Sequence, residues 1–250
     1  MRAAAVVAFG GEFRRESYKV GEGQPDSYAI GPLGAIGLAG GSNGFFGTGP
    51  NQAGTWGRNS VAGYVDVDAD LTRRFNVGAA GRAEHYSDAG SALTSKVSSR
   101  ITVIDQLNLR GALSTSFRAP TPGQSNLTNT NQFPSPDGSS IQTNGTIPPT
   151  NPISTLKGGE ALKPEKSANI SFGFITQPLE KLSFSADVYR IDIRDRIGLS
   201  QRYTLSPEEQ ADLVAGGVAA AQGLTCFNFF VNGYKTRTQG SIWSSATAST

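Results

Sequence analysis

The chain contains one cysteine, one histidine and one methionine among its 250 residues. A single thiol, Cys226, excludes an internal disulfide framework and any multi-cysteine metal site. A single imidazole, His85, excludes a multi-histidine metal centre and is too isolated to nominate a Ser-His-Asp triad. Charge of one sign is never concentrated: Lys and Arg total 22 against 20 for Asp and Glu, and no block of five or six like charges occurs. Nothing in that balance is built to neutralise nucleic-acid phosphates. A run of about 18 apolar residues is also missing, which excludes a transmembrane helix. Barrel strands remain possible, because they turn alternate side chains to lipid and leave only a weak hydropathy signal.

Glycine and proline are abundant, at 31 and 13 residues, and favour turns and β structure over helix. The informative signal is alternation with period two. Val61, Gly63, Val65, Val67, Ala69 and Leu71 alternate with Ala62, Tyr64, Asp66, Asp68 and Asp70; after residues 72–74 the pattern resumes with Phe75, Val77 and Ala79 against Asn76, Arg82 and Glu84. A second hairpin is expected over residues 97–118, turning at Asp105-Gln106, with Arg110 on its polar side. A third flanks residues 177–180, with Asp187 on the polar side of the strand from Leu182 to Tyr189. A first strand over residues 4–15 and a last within 236–248 bring the expected number to eight. The apolar start, residues 3–9, leads directly into Glu12, Arg14, Arg15 and Glu16, and reads as a strand or a truncation start rather than a signal peptide.

Connections alternate as regularly as side chains. Short turns fall near Thr72, Asp105 and Pro178, while long Gly, Asn, Ser and Pro-rich connections cover about 21–58, 119–163 and 194–232, with a looser one at 87–92. Short turns at one end and long loops at the other are the pattern of a membrane barrel. A strand of about ten residues tilted near 45° projects to about 23 Å, close to the apolar band of an outer-membrane barrel. Inside the last loop, Ser206-Pro207-Glu208-Glu209 reads as a helix start, and an Ala-rich run extends the predicted helix to Gln222 before Gly223. It is expected to pack among loops.

Several segments resemble signatures of TonB-dependent receptors. The stretch ending in Phe117-Arg118-Ala119-Pro120 is similar to the family's "GFRAP" at the outer end of a barrel strand. Leu162-Lys163-Pro164-Glu165-Lys166-Ser167 resembles the "LKPEKS" that starts the next strand. The segment containing Tyr189, Arg190, Asp192, Asp195 and Arg196 resembles "DYYRIDIKDRI". Residues 81–90 resemble "GRYEDYSDFG", and Phe229-Phe230-Val231-Asn232 with residues 236–240 resemble "FFxNxxxTRTxG".

The resemblance implies an all-β fold: an antiparallel, up-and-down transmembrane β-barrel, here incomplete, with about eight strands of a larger wall and long extracellular loops. Residues 1–250 are then expected to be a partial barrel domain without the family's plug, and therefore a fragment or truncated gene product. It further implies a Gram-negative outer-membrane location, surrounding lipid, and a small solute taken up at the loops. The solute would be a siderophore, vitamin, carbohydrate or peptide. Energy would come from the TonB complex through a plug that this chain lacks. No enzyme activity, cofactor, metal or nucleic acid is implied; a passive adhesive surface protein is the alternative.

On that reading Asp66, Asp68, Asp70, Arg82, Glu84, Arg110 and Asp187 face the lumen, as wall chemistry more than substrate contacts. The spacing of Asp66, Asp68 and Asp70 admits calcium, but the glycine and loop geometry of a dedicated site are missing. Tyr86, Tyr189 and Tyr203 lie near strand ends, where interfacial aromatics gather, although Tyr86 falls on the polar side. Gly10-Gly11 and Gly40-Gly41 lack the strand-to-helix context of a phosphate loop.

Overall fold

The computed structural model describes residues 4–29, 31–32, 47–134 and 141–247. Eight long strands form one antiparallel sheet: β1 (Ala4–Val20), β2 (Gly54–Thr72), β3 (Phe75–Tyr86), β4 (Gly90–Ile104), β5 (Leu107–Arg118), β8 (Glu165–Leu179), β9 (Leu182–Leu199) and β12 (Phe230–Thr247). Their spatial order follows the chain, β1-β2-β3-β4-β5-β8-β9-β12, and β1 does not pair with β12, so the sheet is a partial barrel. Turns of two residues at 73–74, 105–106 and 180–181 close one end. Each of these hairpins carries a ladder irregularity just beside its turn, at Asp70/Thr72, Thr102/Ile104 and Thr176/Leu179. The third turn therefore sits at the far end of the residues 177–180 expected from sequence, overlapping them at Glu180; Pro178 has no N–H to give the ladder, and the strand bulges there instead of ending.

The strands are longer than alternation alone indicates, at 12 to 19 residues. The additional length is at the loop end: β1 continues to Val20, β2 begins at Gly54, β9 runs to Leu199 and β12 starts at Phe230. There, both faces carry polar residues, such as Glu16 and Ser17 opposite Arg58 and Gly57, so the hydrophobic period disappears while the hydrogen-bonded ladder persists. At about 3.3 Å per residue even 12 tilted residues cross an apolar band of about 25 Å.

Among the described residues, the connections that follow β5 and β9 are folded rather than irregular. Strands β6 (Asn129–Pro134), β7 (Ile141–Thr146), β10 (Tyr203–Thr204) and β11 (Leu224–Asn228) form a second sheet of order β10-β11-β7-β6, in which β11 and β7 run parallel. Helices α2 (Pro152–Thr155) and α3 (Pro207–Ala215), with a single-turn helix at Ala219–Ala221, contribute to its core, while α1 (Pro122–Asn126) lies against β1 and β2. This cap has its own core of Ile147, Ile153, Leu205, Ala221, Leu224, Phe227 and Phe229. Helix α3 begins as the sequence predicts: Ser206 accepts from the Glu209 amide and the Glu209 side chain accepts from the Ser206 amide, a reciprocal cap. It ends at Ala215 rather than Gln222. Gly217 takes φ +87, and the amides of Gly216 and Val218 return to the carbonyls of Asp212 and Leu213, closing the helix earlier than its alanine content indicates.

Candidate transport face and loop cap

Register places the seven charged residues singled out from sequence on one face of the sheet. Asp66, Asp68 and Asp70 pair with Ala80, Gly78 and Asn76; Arg82 and Glu84 pair with Tyr64 and Ala62; Arg110 and Asp187 both pair with Gly173. The other face carries Phe9, Val65, Val67, Leu93, Val97, Leu113, Ile170, Phe172, Val188 and Trp243, with Phe9 81% and Leu93 77% exposed. Large apolar side chains in that number on an exposed surface require an apolar surrounding.

The polar face is a network of charge-assisted bonds. Arg82 reaches Glu12 of β1 and Glu84 of its own strand, both at 2.9 Å, and Arg14 joins through Glu12 at 2.6 Å. Asn76 donates to Asp68 at 2.7 Å and to Asp70 at 3.0 Å, so these carboxylates hold an amide. Among the described residues no cluster of three or more His, Cys, Asp or Glu is placed to hold a metal. Arg110 and Asp187 form a bidentate pair across β8. Between these groups lies an open groove of about 400 Å³ lined by Tyr64, Asp66, Arg82, Thr94, Lys96 and Ser114. The Tyr64 ring crosses Gly10, which accounts for that glycine without any phosphate. Gly40-Gly41 lies outside the described residues.

The signature segments meet at the loop end of neighbouring strands. Arg118 grips the buried Glu165 with two bonds, at 2.9 and 2.6 Å, and Glu165 also accepts from the Ile197 amide at 2.7 Å. Asn232 bonds both the amide and the carbonyl of Lys163 at 2.8 Å, and donates to the carbonyl of Asp195 at 2.7 Å. Asp195 stands at φ +55, where a second ladder shift opens between β9 and β12. Arg196 reaches Thr236 at 3.3 Å. These residues brace the rim. Four sequence segments that are far apart along the chain thus occupy one contiguous structural joint.

Arg58 was missed by sequence reading because it falls in a stretch read as loop. Its side chain is 9% exposed; it donates to Glu16 at 2.5 Å and to the Pro120 carbonyl at 2.6 Å, and lies 4.9 Å from the Tyr86 ring centre. Thr55, Gly57 and Asn59 alternate there with Trp56, Arg58 and Ser60, so neither face is apolar and period two leaves no signal. Tyr18 and Trp56, a cross-strand pair 5.7 Å apart, stand just above it. The tyrosines expected in an outward aromatic belt are elsewhere. Tyr86 is buried beneath Arg58, Tyr189 shares the face of Asp187, and Tyr203 stacks on Phe229 within the cap at 5.6 Å. Arg58 over Tyr86 and the Phe227-Phe229 core beside Tyr203 account for two of these positions.

Helix α3 is tied to the other loop by Lys157, which bonds Glu209 at 2.5 Å. That bond, with the Ser206 amide, holds the Glu209 carboxyl below the usual glutamate range. Gln52 donates to Thr130 at 2.7 Å, linking a third connection to the cap. His85 contacts Ser91 at 2.9 Å near the rim, and Cys226 lies beside Thr204 within β11.

A strand meander with one apolar and one charged face, short turns at one end and folded loops at the other, defines part of the wall of an outer-membrane barrel. The chain belongs to the TonB-dependent receptor β-barrel family: the family described as "TonB dependent receptor-like, beta-barrel" matches residues 4–241. This is a receptor family of the Gram-negative outer membrane, and the chain is an outer-membrane protein. Among solved structures it is similar to the siderophore receptor PirA from Acinetobacter baumannii, with 17% identity and a TM-score of 0.59 over 96% of this chain and 31% of that one. It is also similar to a mutant of the ferric enterobactin receptor PfeA from Pseudomonas aeruginosa in complex with enterobactin, with 13% identity and a TM-score of 0.62 over 97% of this chain and 31% of that one. At these identities the likeness carries the fold. The chain spans about a third of the length of these receptors. Compared by sequence with curated proteins, it matches none.

Proposed function

We propose that the chain is a segment of barrel wall and extracellular cap from a receptor that imports a scarce solute through the outer membrane, energised by TonB acting on the plug of the whole receptor. The observation that carries this reading is the pairing of a continuous apolar face with a charged one along strands that end in a folded cap. The charged face, with Asp66, Asp68, Asp70, Arg82, Glu84, Arg110 and Asp187, lines the lumen and meets the plug; the apolar face meets lipid. The cap and the Tyr18-Trp56-Arg58 rim form the first surface an incoming solute encounters. Residues 4–241 are the barrel part of that receptor.

The solved neighbours include receptors for siderophores, and a siderophore is the solute class we favour over vitamins, carbohydrates or peptides. The polar face supplies guanidiniums and hydroxyls suited to anionic, hydroxyl-rich chelates. The test is uptake of radiolabelled ferric siderophores in iron-starved cells with and without the gene, in strains with and without TonB. Uptake that needs both supports the reading. Surface binding with no TonB-dependent uptake contradicts it and leaves a passive surface protein.

A further inference from the structure

The β3–β4 hairpin stops short of its neighbours at the loop end. It turns over residues 87–89, so residues 54–59 of β2 pair with β1 alone, and β5 runs past Ser114 without pairing to β4. The chain leaving β5 closes over this notch. Pro120 is fully buried, and α1 follows at once, its first turn capped reciprocally by Thr121 and Gln124. The helix lies against β2 and β1, three and four places from β5 in the sheet, and a Cβ on Gly123 would meet the Tyr18 ring at 3.6 Å. Residues 119–127 thus form a strap from β5 to β1, and β6, the edge strand of the cap sheet, begins at Asn129.

One buried side chain fixes this strap to the wall. The Arg58 guanidinium donates from Nε to Glu16 of β1 and from Nη1 to the Pro120 carbonyl, at 2.5 and 2.6 Å, while its plane lies over the Tyr86 ring of β3. Among the described residues no other side chain of β1, β2 or β3 is hydrogen-bonded to residues 119–127. A buried carbonyl needs a donor, so the place of Pro120 depends on Arg58. A planar fork serves a carboxylate, a carbonyl and an aromatic face together, which a compact ammonium does not. The wall itself does not need this side chain: the β1–β2 ladder runs unbroken from Ala4 opposite Asp70 to Val20 opposite Gly54.

We propose that Arg58 is a positioning residue for solute capture: by holding Pro120 it keeps α1 against Tyr18 and the β6 side of the cap beside β1 and β2. The proposal rests on the transport reading above. Without Arg58 the wall stays intact, but the strap leaves the Tyr18-Trp56 pair and the cap is in its capturing position for a fraction of the time.

The test places Tyr18→Cys and Gly123→Cys together on a Cys226→Ser background, with Arg58 kept or changed to Lys. Closure of the cysteine pair by a short bismaleimide reports the position of the strap, and uptake of radiolabelled ferric enterobactin and ferrichrome reports capture. In Arg58→Lys, closure should slow about tenfold and the KM for uptake rise about tenfold at an unchanged maximal rate, as expected if the competent state is populated about a tenth of the time. Closing the bismaleimide bridge should then restore KM, and thermal melting of the wall should be unchanged. Closure as fast as with Arg58 kept, a raised KM that the bridge does not restore, or a wall that melts earlier would overturn the positioning role. No uptake of either chelate with Arg58 and Tyr18 both native would remove the transport reading, and the capture role with it, whatever the closure rates.

Discussion

Arg110 of β5 and Asp187 of β9 join over the strand between them, with Gly173 of β8 lying beneath the bridge. A Cβ on Gly173 would come within 2.1 Å of Asp187 Oδ1 and 2.6 Å of the Ala186 carbonyl, so both a side chain and backbone stand in its way. Gly173→Ala should cost about 1–3 kcal/mol. Arg110→Ala, which removes a pair whose arginine is 46% exposed, should cost at most about 1 kcal/mol. Denaturant midpoints for the two variants check this ordering; a larger loss for Arg110→Ala would show that the charge pair, not the close approach, is the structural requirement.

The rim joint depends on one buried carboxylate. Glu165 serves Arg118 and the Ile197 amide together, and Glu165→Gln leaves part of that demand unmet. Arg118 is 52% exposed and can turn to water, so the loss should be about 2 kcal/mol rather than the larger cost of breaking a fully buried pair. Hydrogen exchange should quicken first at the loop ends of β8 and β9.

These two cases mark what the sequence made legible. Alternation located the eight wall strands and the charged face, because lipid on one side and water on the other impose opposite demands on successive residues. It did not reveal the outer strand ends or Arg58, since both faces there are polar and the period has nothing to act on. Nor did it reveal the cap sheet: β7 and β11 are short, pair in parallel, and are held by contacts between residues such as Ile147 and Phe227 that lie 80 positions apart along the chain. Signature residues were recognisable as words, but the Arg118-Glu165 and Asn232-Lys163 bonds that explain them needed coordinates.

The cap should behave as a unit with its own stability. Phe229 is 1% exposed and stacks on Tyr203 and Phe227. Phe229→Ala should cost the cap about 3–5 kcal/mol. Limited proteolysis should then cut within 141–164 and 200–229 while the β content of the wall persists, and solute capture should weaken.

Acid should loosen helix α3 first. The Glu209 carboxyl is held below its ordinary range by Lys157 and the Ser206 amide, so its contribution is complete above the unfolded-state value and is lost as pH falls through the lower folded-state value. Amide protection in α3 should therefore decline on the acid side of the usual glutamate range, and Glu209→Gln should remove that pH dependence. Exchange rates across an acid titration measure both.

The lipid-facing assignment has a direct probe in single cysteines introduced on a Cys226→Ser background at Val65, Asp66, Val67 and Asp68 of β2 and at Ile170, Ser171 and Phe172 of β8. In reconstituted protein, with Gly173 left unchanged because it has no room for a side chain, a polar maleimide should label Asp66→Cys, Asp68→Cys and Ser171→Cys, while Val65→Cys, Val67→Cys, Ile170→Cys and Phe172→Cys should resist it and respond to quenchers carried in lipid. Labelling that alternates residue by residue along both strands is the predicted result. Labelling that is uniform along either strand, or that alternates in the opposite sense, would contradict the account.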